Sequence, residues 1–189
     1  MTVKIITPPE SEPVTLAELK LFTRVDFDED DALITSLGIA AREFVEIATG
    51  RALMTQTLEL VRPCFPLDAL SLPRSPIQNI TSVTYLDRSG DEGTLVLDTD
   101  YYLDLDSAPA VLSPSRYWPA TADRSNAVRI RYVAGYETAE EVPHTLKTVI
   151  CALVAHWYDN REPTNRSGAA ELPYHVKRLI NSARIWTAA

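Results

Sequence analysis

Hydrophobic positions recur with a helical period at both ends of the chain and with a period of two in its middle. Pro13 and Val14 lead into Thr15-Leu-Ala-Glu18, the spacing of a capping box, in which Thr caps the helix start and Glu reaches back to it. The helix expected from about Thr15 to Arg24 presents Leu16, Leu19 and Phe22 on one side. A second start lies at Asp28-Glu-Asp-Asp31, where carboxylates suit the positive end of a helix. Leu33, Leu37, Ala40, Phe44 and Ile47 follow at steps of four and three, so they form one apolar face and are expected to meet the core. Gly50 is placed to end this helix in a left-handed cap.

From about Thr55 the period changes. Thr57-Leu-Glu-Leu-Val alternates, and Pro63, Pro66, Pro73 and Pro76 then carry the chain to a second alternating run, Ile80 to Leu86. Asp87-Arg-Ser-Gly-Asp-Glu-Gly93 reads as a hairpin loop. Leu95–Asp98 and Tyr101–Asp106 suit short strands, whereas 107–126, with Pro109, Pro114 and Pro119, reads as loop. Val128, Ile130 and Tyr132 alternate with Arg129, Arg131 and Val133, the pattern of a half-buried strand. Helical spacing returns with Leu146, Val149, Ile150, Leu153 and Trp157 behind Pro143, which fits a first turn. A polar loop over 161–171 leads to a last helix opened by Pro173, with Val176, Leu179, Ile180 and Ala183 as its stripe.

The layout is a helical half (1–54), a β-rich insertion (55–137) and a second helical half (138–189) completing the same core. The fold class is therefore α+β: a mainly helical core of about four helices with an inserted β-rich module.

At 189 residues with 46% hydrophobic and 23% charged side chains, the chain is long enough to bury a core without staples. The longest apolar run, Val149 to Ala155, is far short of the roughly 18 residues of a membrane span. The N-terminus has no export-signal pattern, so the protein is expected to be cytosolic where it is made. Cys64 and Cys151 lie far apart and read as reduced, semi-buried packing residues. Net charge is −8, but residues 1–50 carry −6 and the last 47 carry +3. An acidic chain does not grip DNA as a whole; a polarised one is suited to dock its basic end on an acidic partner or on another copy.

Chemistry is sparse. Asp26, Asp28, Asp30 and Asp31 suggest calcium, yet an EF-hand loop starting at Asp26 needs glycine where Asp31 stands and glutamate where Leu37 stands. His144 and His156 are too far apart on one helix to share a metal. His156 and Asp159 are spaced as an acid–base pair, with no nucleophile in a strand–turn–helix context to complete it. Glycine-rich phosphate loops are absent. No catalytic residue, cofactor or metal is expected, and the chain does not read as an enzyme. The aromatic residues say more. Tyr117-Trp118 sits in a proline-bounded loop, either folded back or offered to a partner. Tyr158 and Arg161 stand at the end of the third helix, placed for a lateral contact. Trp186 is either a terminal staple or an anchor.

The order and spacing of several segments resemble a known family. They are Glu12-Pro-Val-Thr-Leu-Ala-Glu-Leu-Lys20, Asp28-Glu-Asp-Asp-Ala-Leu-Ile34, Ala40 to Arg51, Val142-Pro143, Ala155-His-Trp-Tyr-Asp-Asn-Arg-Glu162 and Leu172-Pro173. Together they look like the head–tail connector (adaptor) proteins of long-tailed bacteriophages and of gene transfer agents, with the β-rich module as the insertion of a longer branch. The resemblance implies a virion structural protein at the head–tail junction, made in the host cytoplasm and assembling as a ring, typically of twelve copies. Its implied partners are itself, the portal protein, a tail-side stopper or terminator, and DNA that passes through the channel without sequence-specific binding; no membrane is involved. Lys177, Arg178, Arg184 and Trp186, with Tyr158 and Arg161, become candidates for the portal or subunit interface, and the resemblance favours Trp186 as an anchor. Tyr117 and Trp118 become a candidate loop contact. A truncation after Leu172 is expected to abolish portal attachment without unfolding the rest. Two other readings stand beside this one: a tail-completion or tail-terminator protein of the same particle, and a helix-turn-helix DNA-binding regulator over residues 15–50. In the latter the second helix starts with acids where phosphates would lie.

Overall fold

The computed structural model describes residues 2–160 and 174–185. Arg161, Trp186 and the polar loop expected over 161–171 lie outside the described residues. The described residues divide into two compact units, one built from 2–10, 55–136 and 185 and the other from 11–54, 137–160 and 174–184.

The first unit is antiparallel β-sheet. Its five-stranded sheet has the order β1-β2-β8-β4-β5, from β1 (Thr2–Thr7), β2 (Gln56–Arg62), β4 (Ile77–Leu86), β5 (Glu92–Leu95) and β8 (Val128–Ala134). β8 shows the expected alternation: Val128, Ile130, Tyr132 and Ala134 are buried, while Arg129 and Arg131 each reach the Glu59 carboxylate on β2 at 3.0 Å. The Tyr132 hydroxyl donates to the Pro73 carbonyl at 3.0 Å, so this buried ring keeps a partner for its polar tip. A β4–β5 turn forms at the start of the expected loop, with Asp87 accepting from the Ser89 and Asp91 amides and Gly90 at φ +92°. β5, however, occupies Glu92–Leu95 rather than the expected Leu95–Asp98, because pairing with Val83–Leu86 starts right after the turn.

Two further features of this unit depart from the sequence reading. Residues 2–7, grouped with the N-terminal helical half, form β1 and pair with β2. Thr, Val and Ile dominate this segment and favour strand, but it lies at a sheet edge and shows no alternation of burial. The stretch 107–126 is not all loop. Val111–Pro114 is a strand, β7, which joins β3 (Leu70–Ser71) and β6 (Tyr101–Asp104) in a second, three-stranded sheet of order β3-β7-β6. Its strands have two to four residues, too short for a period to show among the prolines. Leu70, Leu72, Tyr101 and Leu112 form its buried side.

The second unit holds α1 (Leu16–Thr23), α2 (Asp31–Thr49), α3 (His144–Asp159) and α4 (Tyr174–Ala183). The capping box of α1 forms as read. The Glu18 amide donates to Thr15 Oγ1 at 3.3 Å, and the Thr15 amide donates to the Glu18 carboxylate at 2.7 Å. Gly50 ends α2 at φ +70°. On α3, Leu146, Val149, Ile150 and Leu153 are buried as expected, and Val176 and Ile180 of α4 join them.

The face of α2 is the main correction. Leu33, Phe44 and Ile47 are exposed, Ile47 by 71%, and Ala40 is exposed with them while Leu37 is half-buried. Ile34, Gly38, Ala41, Val45 and Thr49 meet the core instead. The two stripes lie one residue, about 100°, apart on the same helix, and both are apolar, so periodicity alone could not choose between them. Phe22 of α1 is likewise exposed, whereas Leu19 is buried. Cys151 is buried, but Cys64 is exposed rather than semi-buried, because it follows Pro63 in the turn after β2.

Candidate functional site

The acids that open α2 are absorbed locally. Lys20 Nζ donates to Asp28 Oδ1 and Asp31 Oδ1 at 2.7 Å each, which holds the Asp28 carboxyl below its ordinary range and raises the Lys20 ammonium. Asp30 accepts from the Tyr158 hydroxyl. Tyr158, one of the interface candidates, is thereby tied to the start of α2 and only half-buried. No cluster of three or more His, Cys, Asp or Glu side chains suited to a metal occurs among the described residues.

Farther along α2 lies a buried ion network. Arg42 Nε donates to Glu12 at 2.8 Å and its Nη1 to Glu46 at 3.1 Å, while the other Glu46 oxygen accepts the Leu53 amide at 2.8 Å. Arg42 and Glu46 are among the few buried charged residues. Between them they fasten the chain entering α1 and the chain leaving α2, a scaffolding task.

On α4 the candidate cations separate. Lys177 is half-buried, and Arg178 and Arg184 are exposed. Arg178 lies over the Tyr174 ring at 5.8 Å from its centroid, and Arg51 Nε caps the helix end by donating to the Ala183 carbonyl at 2.8 Å. His156 is near Asn160, at 3.5 Å between Nδ1 and the amide nitrogen.

In the β unit the aromatic pair divides. Trp118 stacks on Phe65 with centroids 4.6 Å apart and planes 5° from parallel, and its Nε1 donates to the Asp68 carbonyl at 2.6 Å. It is folded back. Tyr117 is 90% exposed, and Leu67, beside Asp68, is 98% exposed. Tyr117 is therefore the outward member of the pair. Leu67 was not singled out from sequence; a leucine between two proline-containing turns carries no signal of its own.

The structure thus places Lys177 and Arg178 on α4 and Arg184 just past its end, with different exposures, and Tyr117 and Trp118 in the β unit. It also exposes an apolar face of α2 that the sequence reading assigned to the core.

A family model for the phage gp6-like head–tail connector protein matches residues 13–94 and 120–184. The chain belongs to that family. The match takes in α1 to α4, and the part it skips, 95–119, carries β6, β7 and the Tyr117-Trp118 pair. Solved structures share the fold of this connector-family chain. One is the neck of an empty gene transfer agent (GTA) particle computed with C6 symmetry, with TM-score 0.81 at 22% identity over 100% of this chain and 98% of that one. A second, from the virion of a native GTA particle, gives the same values. A third, the neck of a native GTA particle with C12 symmetry, has TM-score 0.72 at 23% identity over 100% and 98% of the two chains. No curated protein matches the chain.

Proposed function

We propose that this chain is the structural head–tail connector of a tailed phage or a phage-like gene transfer agent, forming a ring of twelve copies beneath the portal. The observation that carries this reading is the family match over both helical segments, α1–α2 and α3–α4. The ring is supported by relatives of the same fold that stand in GTA necks of C6 and C12 symmetry. The role is mechanical, with no reaction catalysed. The ring extends the DNA channel and offers a platform to the tail-side stopper or terminator. An acidic chain suits a channel that DNA must slide through without sticking. Lys177 and Arg178 of α4, Arg184 just past its end and Tyr158, with Trp186 and Arg161 beyond the described residues, supply the surface for the portal or a neighbouring subunit. The loop of Tyr117 and Trp118 supplies a weaker contact, with a neighbouring subunit or the tail side. The regulator reading is disfavoured by the acids at the head of α2, where a recognition helix would meet phosphates.

Truncation after Leu172 is no longer a clean test of the α4 surface, because Val176 and Ile180 belong to the core. Lys177→Glu with Arg178→Glu keeps those contacts and reverses the surface charge. The decisive experiment deletes the gene in its source and images released particles by electron microscopy. DNA-filled heads beside detached tails, rejoined by adding the purified protein, are the expected result. Intact tailed particles would overturn the connector reading.

A further inference from the structure

α2 is apolar on both sides. Its buried face, Ile34, Ala41 and Val45, is covered by α1, α3 and α4, which all pack against it. On the half of its surface centred on Ala40, only Ser36 and Glu43 are polar. Leu33, Leu37, Ala40, Phe44 and Ile47 occupy that half at steps of four, three, four and three, the a/d spacing of a coiled-coil seam. They run for about 21 Å at 1.5 Å per residue. Ordinary solvent-facing helix surfaces are polar. α4 of this same chain follows that rule, turning Arg178, Asn181 and Ser182 outward. A second apolar stripe outside the packed face of a helix marks a surface that another element or molecule covers.

The open face continues onto its neighbours. Phe44 meets Trp157 of α3 edge-on, with centroids 6.2 Å apart. An open groove lined by Val14, Leu16 and Ile39 runs along the other flank. An apolar centre completed by a polar rim is the anatomy of a protein interface.

The geometry points to this face of α2 as the seat for a helix of a second copy of the same chain, the lateral contact of the ring. The inference rests on the connector reading, and three observations choose the occupant. Heptad spacing fits a helix, not an extended peptide. The face offers no cation, which removes nucleic acid. The −6 of residues 1–50 against the +3 of the last 47 makes head-to-tail contact between copies attractive. A closed ring repeats such a heterologous contact at every step. Interfaces of permanent homo-oligomers are also the more apolar kind, unlike those where finished parts dock.

The test replaces Ile47 with a photoreactive benzophenone side chain in the gene supplied back to the deletion strain, and irradiates the purified particles. A cross-linked product of two copies of this chain, with both peptides identified by mass spectrometry, is the expected result. Cross-linking into a different particle protein, or none between copies, would sink the assignment. In parallel, Ala40→Glu with Ile47→Glu should lose the rescue of tailed particles, while Arg88→Glu in the exposed β4–β5 turn retains it. Circular dichroism of the purified double variant checks that the fold persists, and the cross-link decides alone if it does not. Full rescue by the double variant would overturn this inference only. Intact tailed particles in the deletion strain itself would overturn the connector reading beneath it.

Discussion

Arg42 is where the chemistry of a single side chain matters most. A buried guanidinium and the equally buried Glu46 carboxylate are tolerable only as a pair, since removing one partner strands the other without solvent. Arg42→Ala should lower the unfolding free energy by about 3–5 kcal/mol. Arg42→Met combined with Glu46→Gln should recover part of that loss, because the amide can still accept the Leu53 hydrogen bond. Denaturant titration of the three proteins checks both statements; equal stability of the single variant and the parent would show that the network holds nothing. Glu18 supplies a pH dependence at the same scale. The amide and hydroxyl hydrogen bonds from Thr15 hold its carboxyl below the ordinary value of 4.5, and Lys20 does the same for Asp28. Carboxyls depressed in the folded state stabilise it at higher pH and lose that contribution as pH falls through their folded values. Thermal unfolding temperatures should therefore hold above pH 4.5 and fall below it, with a shallower fall in Glu18→Gln.

At the scale of elements, the Phe65–Trp118 stack fastens a long connection onto the β unit. Trp118→Ala removes the stack and the bond to Asp68, and should destabilise the protein by about 2 kcal/mol, less than a full core tryptophan because the ring is half-buried. Tyr117→Ala, one residue away and exposed, should stay within about 0.5 kcal/mol of the parent. Reversed magnitudes would mean that the loop is held the other way round. The same pair marks what could be read in advance. Thr15, Glu18 and Gly50 announced the ends of α1 and α2 because caps use local chemistry written in consecutive residues. The alternation of β8 was plain because one of its faces is buried and the other carries arginines. Where the sequence was silent, the deciding contact was distant: β1 owes its existence to β2 some fifty residues on, and β7 to partners equally short. On α2 the pattern was legible but its direction was not, since two apolar stripes satisfy one period. Which of Tyr117 and Trp118 turns inward depended on Phe65, a neighbour that periodicity cannot supply.

For the whole molecule, charge is the property with the longest reach. The net −8 leaves no basic footprint to neutralise a run of phosphates. Mobility-shift titration with duplex DNA at low salt should therefore detect no stable complex with the free protein. Tight, salt-dependent binding would revive the regulator reading. The family match and the cation-bearing helix α4 were foreshadowed by segment order and charge. The apolar face of α2 was not, because a face meant for another molecule looks, in one chain, like a face meant for the core.

The order of strands in the larger sheet bears on how the chain comes off the ribosome. β8, the last strand to be made, lies between β2 and β4 and pairs with both. Until residue 134 has emerged, β1–β2 and β4–β5 are two separate hairpin-like pairs with no strand to join them. α1 and α2 likewise wait for α3 and α4. At about 5–20 residues per second, β2 spends several seconds after its synthesis without β8, its second neighbour. A nascent chain stalled before β8 holds neither finished core, so its apolar strands are the ones that chaperones must shield.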